Sequence, residues 1–209
     1  MTDSVLWYAT RGAGAVSLVL LTSVAVLGIL SALRWGAKAW PRFLTTGLHR
    51  NLALLSVMFL GIHIVTAVVD PFTSLGWKAA LVPFSSSYRP FWLGLGVVAI
   101  DLLLALVITS LARRVIGHRS WRFVHWLAYA CWPIAVVHGV GTGSDTTQPW
   151  MLALDLVCIG AVVVAITGRV ASGAGRPELT VPGAPPGLSP VTEWSGLAPA
   201  RPDGHGEAR

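Results

Sequence analysis

Four histidines stand inside apolar stretches as two pairs, His49 with His63 and His125 with His138, separated by 14 and 13 residues. An ionisable side chain at membrane depth is costly and marks a functional site by default. Neutral imidazole is also a good iron ligand. At 1.5 Å of rise per residue the members of a pair lie about 21 Å and about 20 Å apart, so neither pair can ligate one iron. Taken across the segments, His49 with His125 and His63 with His138 could each supply two axial imidazoles. The chemistry implied is that of two bis-histidine haems, one above the other.

Helical phase tests this arrangement. Fourteen residues at about 100° each return His63 to within about 40° of His49, so the two share a face. Thirteen residues leave His138 about 140° from His125 on an ideal helix. Pro133 lies between them and is the residue expected to alter the geometry. His49 and His125 fall near predicted span ends, where an interfacial histidine is ordinary, and His63 and His138 lie deeper. His118, in a basic connection, and His205, near the carboxyl end, read as solvated.

The elements that must position these side chains follow from composition. Of the 209 residues 54% are hydrophobic and only 11% charged, against about 25% charged in soluble domains. That excludes an ordinary soluble enzyme and predicts an all-α, polytopic membrane helical bundle. Apolar runs near the ~20 residues needed to cross a bilayer cover residues 14–33, 47–69, 91–112, 121–140 and 150–168, giving five transmembrane helices. A signal peptide is the competing reading of the first run. Arg11 precedes a stretch longer than the usual h-region and no small-residue cleavage site follows, so the run is read as a permanent anchor. Residues 1–170 form the membrane domain, and the Pro/Gly-rich residues 171–209 are expected to be a disordered cytoplasmic tail.

The net charge of +6 does not signal nucleic acid, because the basic residues sit in short connections as orientation signals do. Arg34, Lys38 and Arg42 follow the first span, and Arg113, Arg114, Arg119 and Arg122 surround the junction of the third and fourth. The alternate connections carry Asp70, Lys78 and Arg89, and then Asp145. The amino terminus is therefore expected outside and the carboxyl terminus in the cytoplasm of a multi-pass cell-membrane protein. The second and fourth spans then run the same way, with His49 and His125 near the inner face and His63 and His138 nearer the outer. The segment from 70 to 90 mixes Pro71, Pro83 and Ser85 to Ser87 with Phe72, Leu75, Trp77, Leu81, Val82 and Phe84. It is too broken to span and is expected at the outer interface or folded over helix ends.

Other polar residues need partners. Asp101 and Asp155 lie within spans, where helix-to-helix hydrogen bonding, a carboxylate behind a histidine or a proton relay are the available roles. Arg50 and Arg122, close to the inner histidines, could pair with haem propionates or simply obey the positive-inside rule. Trp40, Trp92, Trp121 and Trp150 flank spans as interfacial anchors do, while Trp126 and Trp132 are expected to pack against another helix rather than a porphyrin. Cys131 and Cys158 alone exclude a disulfide framework and read as small packing residues.

These residues resemble the ferric reductase-like transmembrane domain family, shared by ferric reductases, NADPH oxidases and the haem-binding membrane subunit of the bacterial methionine sulfoxide reductase system. The resemblance covers about residues 7–168. It rests on the histidine spacings, on Leu48-His49-Arg50 and His125-Trp126-Leu127, and on Val82-Pro83-Phe84 with Tyr88-Arg89-Pro90. It implies two haems b held by His49, His63, His125 and His138, and electron transfer across the lipid bilayer. No FAD- and NADPH-binding module is expected after the fifth span, and Gly12-Ala13-Gly14 and Gly173-Ala174-Gly175 lack the strand–turn–helix setting of a dinucleotide fingerprint. Electrons would then come from a separate donor, a flavin reductase or a quinone, and pass to a separate acceptor. The expectation is a b-type cytochrome acting as the electron-transfer subunit of an oxidoreductase. The alternative class is a haem-free small transporter or assembly subunit whose intramembrane histidines and aspartates bind protons or metal ions.

Overall fold

Helices dominate because in hydrocarbon every backbone N–H and C=O must be satisfied within the segment that carries it. The computed structural model describes residues 2–32, 42–71 and 75–174. Arg34, Lys38, Trp40, Phe72, Gly175 and His205 lie outside the described residues, as does the expected disordered tail beyond residue 174. Among the described residues there are seven helices and no strand: α1 (Thr2–Ala32), α2 (Arg42–Val69), α3 (Gly76–Leu81), α4 (Pro90–Leu111), α5 (Arg113–His125), α6 (Ala128–Thr142) and α7 (Pro149–Ala174). Four are long and apolar enough to cross a membrane, or five crossings if the bent pair α5–α6 counts as one.

Two antiparallel pairs make the frame. α1 lies along α2, with Thr10 opposite His63 and Val24 opposite His49. α4 lies along α6, with Trp92 opposite His138 and Ala99 opposite Cys131. Small residues let these backbones approach, as they do generally between membrane helices: Ser17, Thr22, Ser56 and Ala99 are all buried. Cys131 and Cys158 are buried and unbridged, and the Cys131 thiol donates to the Ala99 carbonyl at 3.4 Å. Ile29 of α1 meets Val162 and Ala165 of α7, with Trp132 of α6 packed beside them. The Trp132 indole N–H donates to Thr22 Oγ1 at 3.0 Å, so this tryptophan does pack between helices. Trp126, by contrast, is exposed.

Helix α1 begins at Thr2 rather than at the expected residue 14, and so carries Arg11 inside the helix. The cost of that cation is offset by Asp145, whose Oδ2 lies 2.6 Å from Arg11 Nε. Arg11 Nη1 donates to Ser144 Oγ at 2.6 Å, and its guanidinium lies over the Trp7 ring. Between α2 and α4 the broken segment forms the short helix α3, and Phe84 lies over Gly94 of α4. Arg89 takes the left-handed conformation just before Pro90 opens α4. Its guanidinium donates to the Gly141 carbonyl at 2.7 Å, tying this segment to the end of α6.

The fourth apolar run is not one helix. α5 and α6 meet at Trp126 and Leu127 with a 47° bend, and Pro133 lies within α6 rather than at the break. Three N–H groups around the junction donate over three residues instead of four, Leu127 to Val124 O, Tyr129 to Trp126 O and Ala130 to Leu127 O, and Trp126 N–H is shared between Arg122 O and Phe123 O. Winding at three residues per turn adds about 20° per residue over an α-helix. Three such residues advance the chain by about 60°, part of the roughly 140° that the 13-residue spacing lacks. The straight-helix premise of the phase test therefore fails at the break beside His125, where the chain both tightens and bends.

Candidate functional site

Each histidine pair spans two helices, and the fold brings the pairs together by depth. The rings of His63 (α2) and His138 (α6) have centroids 6.4 Å apart, and those of His49 (α2) and His125 (α5) are also 6.4 Å apart. All four side chains are half-buried. Two metal–nitrogen bonds of about 2.0 Å, in line between two imidazoles, put the ring centres roughly 6 Å apart. Both levels meet that requirement.

Three of the four rings are seated in the same way. His63 Nδ1 is 2.8 Å from the Thr10 carbonyl, His49 Nδ1 is 3.0 Å from that of Val24, and His138 Nδ1 is 2.8 Å from that of Trp92. Since a carbonyl only accepts, each Nδ1 carries the proton and donates, which leaves Nε2 bare for a metal. Four residues after each acceptor stands a glycine: Gly14 after Thr10, Gly28 after Val24, Gly96 after Trp92. A helical carbonyl points toward the residue four positions on. Without a Cβ there, an imidazole can reach the oxygen's second lone pair. The space is used: a β-carbon would stand 3.0 Å from the His63 ring at Gly14, 3.4 Å from the His49 ring at Gly28 and 2.5 Å from the His138 ring at Gly96.

The fourth seat differs. His125 Nδ1 is buried and has no hydrogen-bond partner among the described residues. Trp121 stacks on its ring, with centroids 4.8 Å apart and planes 26° from parallel. The indole N–H of Trp121 donates to Ser110 Oγ at 3.2 Å, and the Arg113 guanidinium lies over the indole at 4.5 Å. Ser110 follows Gly96 by 14 residues, the interval that also separates Gly14 from Gly28. The place where a fourth glycine seat would fall instead holds a side chain that anchors Trp121.

Trp121, expected from its position as an interfacial anchor, thus also stacks on one of the four histidines. The carboxylate behind a histidine is also corrected: at three of the four histidines a backbone carbonyl takes that place, because α1 and α4 approach closely enough at glycine to present one. Asp101 is exposed on the surface of the chain, whereas Asp155 is buried at 6% exposure. Arg50 and Arg122 are exposed, as is His118, whose ring lies 5.3 Å from that of Trp121. Sequence reasoning missed the seating glycines, although Gly14 and Gly28 repeat the 14-residue spacing of His49 and His63.

Around the His63–His138 level lies a cavity of about 320 Å³ with largely apolar walls, reaching from Arg11 and Trp150 at one end past both rings to Ser56 and Cys131. Among the described residues no three or more His, Cys, Asp or Glu side chains converge on a metal position. Each level therefore offers two axial nitrogens and leaves the remaining coordination to whatever is bound between them, the donor set suited to a planar tetradentate macrocycle. The residues present fit a haem.

A family model described as "Ferric reductase like transmembrane component" matches residues 12–140, a stretch that contains all four histidines. No curated protein and no solved structure matches the chain.

Proposed function

The chain belongs to the ferric reductase-like transmembrane family, and from that premise we propose that it is a b-type cytochrome carrying single electrons across the membrane. Membership brings with it a membrane redox role. The observation that carries the finer reading is the matched 6.4 Å approach of His49 to His125 and of His63 to His138. One haem b at each level would supply a one-electron Fe(III)/Fe(II) couple.

The protein's own residues then have defined work. Val24, Thr10 and Trp92 carbonyls fix the proton on Nδ1 of three ligands and hold each ring at its angle. Gly14, Gly28 and Gly96 provide the clearance. Apolar walls exclude water and keep the charge of the oxidised iron expensive, one of the levers on potential. Arg50 and Arg122, exposed beside His49 and His125, are placed along the sequence to meet propionates with a guanidinium fork. No side chain is needed as acid or base, because an electron and not a proton is passed. The positive-inside rule supports an outside amino terminus with the His49–His125 level toward the cytoplasm. The donor is a separate flavin reductase or quinone, and the acceptor is a separate partner.

Optical spectroscopy with haem counting tests this. Protein purified after haem-sufficient expression and reduced with dithionite is expected to show the paired visible bands of low-spin haem, with two haems per chain. Replacing His63 or His138 is expected to remove one haem, and replacing His49 or His125 the other. A colourless preparation would sink the reading in favour of a haem-free transporter or assembly subunit. Loss of one shared haem from the pair His49 and His138 would overturn the pairing.

A further inference from the structure

The two levels are built from the same ligands but not from the same surroundings. Resting on the two-haem reading above, we infer that they are poised at unequal reduction potentials, the His49–His125 level being the higher, so that a single electron resides there.

Three differences act in one direction. A ligand imidazole that donates its second N–H to a carbonyl is a more basic ligand, and a more basic ligand favours the oxidised, more positive iron. His63 and His138 both make that bond, at 2.8 Å each. At the other level only His49 makes it, at the longer 3.0 Å, while Nδ1 of His125 has no partner among the described residues. The second difference is the ring against His125. Trp121 occupies that face and sits beneath the Arg113 guanidinium at 4.5 Å, so the nearest charge beyond the indole is a cation.

The third difference is the charge around each level. α5 carries Arg113, Arg114, Arg119 and Arg122 and no carboxylate, and Arg50 follows His49 directly. At the opposite end Arg11 is paired with Asp145 at 2.6 Å. Lys78 and Arg89 share that end with Asp70. An oxidised haem bears one more positive charge than a reduced one, so an uncompensated cationic face favours the reduced state. Burial is the one lever that acts the other way, because the apolar cavity surrounds the His63–His138 level, and the inferred ordering is that the ligand bonds and the charges outweigh it.

The test is an optical redox titration of the full chain in detergent micelles, with haem extracted and counted in the same samples. The wild-type protein is expected to hold two haems per chain and to titrate in two one-electron steps. Their separation is expected to be at least about 59 mV, a tenfold preference of the first electron for one level. His63→Ala leaves the His49–His125 level, and its single step is expected at the higher wild-type midpoint; His49→Ala is expected to leave the lower one. The reverse order, with haem present, overturns the inference and leaves the two-haem reading standing. Protein without haem overturns both.

Ligand variants can misfold, so a second variant keeps all four histidines. Arg113→Gln removes the cation above Trp121 and is expected to lower the higher midpoint while the lower one stays in place. Two bound haems with both midpoints unmoved in Arg113→Gln would overturn the inferred role of that cation.

Discussion

Gly96 lies against the imidazole of His138 so closely that a β-carbon on it would stand 2.5 Å from ring atom Cε1. The contact holds His138 within reach of the Trp92 carbonyl one helical turn earlier. Gly96→Ala is therefore expected to push the ring off its acceptor and to destabilise the fold by about 1–3 kcal/mol, the usual cost of overpacking. In haem-loaded protein the count should fall from two haems per chain to one. Gly28→Ala, where the added carbon would stand 3.4 Å from His49, is expected to keep both. Extracted haem per chain, measured side by side, checks the contrast.

Arg11 and Asp145 hold the start of α1 against the connection that follows α6, at 2.6 Å and with both side chains 20% exposed. Breaking one partner leaves the other charge uncompensated in a partly desolvated place. Arg11→Met and Asp145→Asn are each expected to destabilise more than the double variant does, since removing both avoids the orphaned charge. Thermal unfolding in detergent, run as a double-mutant cycle, measures the coupling. Strict additivity would contradict it.

Trp132 joins α6 to α1 through its indole bond to Thr22. Trp132→Phe keeps most of the apolar packing and removes the donor. Inter-helical hydrogen bonds in membranes average about 0.6 kcal/mol with a maximum near 1.7, so a loss within that range is expected in reversible unfolding. A larger loss would assign the residue to packing.

Pro133 lies inside α6, while the axis turns at Trp126 and Leu127. Pro133→Ala is therefore expected to leave haem content and the visible spectrum unchanged. If the proline set the phase of His138, the same variant would lose the haem at the His63–His138 level.

Gly117 interrupts α5 with φ 78° and ψ 164°, a region open to glycine almost alone. Gly117→Ala is expected to cost about 1–3 kcal/mol, read as a lowered unfolding midpoint. A neutral result would mean that this turn of α5 relaxes without strain.

Much of the architecture was legible before any coordinates, for a definite reason. Helix rise is nearly constant, so residue number converts directly into depth once a run is known to be helical. That conversion matched His49 with His125 and His63 with His138, and the short charged connections made the two carrying segments run the same way. Apolar length marked the four long helices without reference to neighbours, and the remaining run proved to be a bent pair.

Azimuth is a different quantity, because it accumulates every local change in winding. Thirteen residues gave the wrong face for His138 on an ideal helix. The chain departs from that ideal helix at the bend after His125, at Trp126 and Leu127 and not at the proline that sequence singled out. Seating was equally hidden: whether a glycine frees a carbonyl for an imidazole depends on which helix lies opposite. Gly14, Gly28 and Gly96 acquired their meaning when α1 met α2 and α4 met α6. Trp121 differs, since it stands four residues before His125 on α5 and its stacking is a contact within one helix. Sequence by itself determined the ligand types, their depths and the apolar lengths that carry them, because each is a property of one segment. Tertiary structure decided which carbonyls and glycines surround each imidazole, because those contacts belong to pairs of segments.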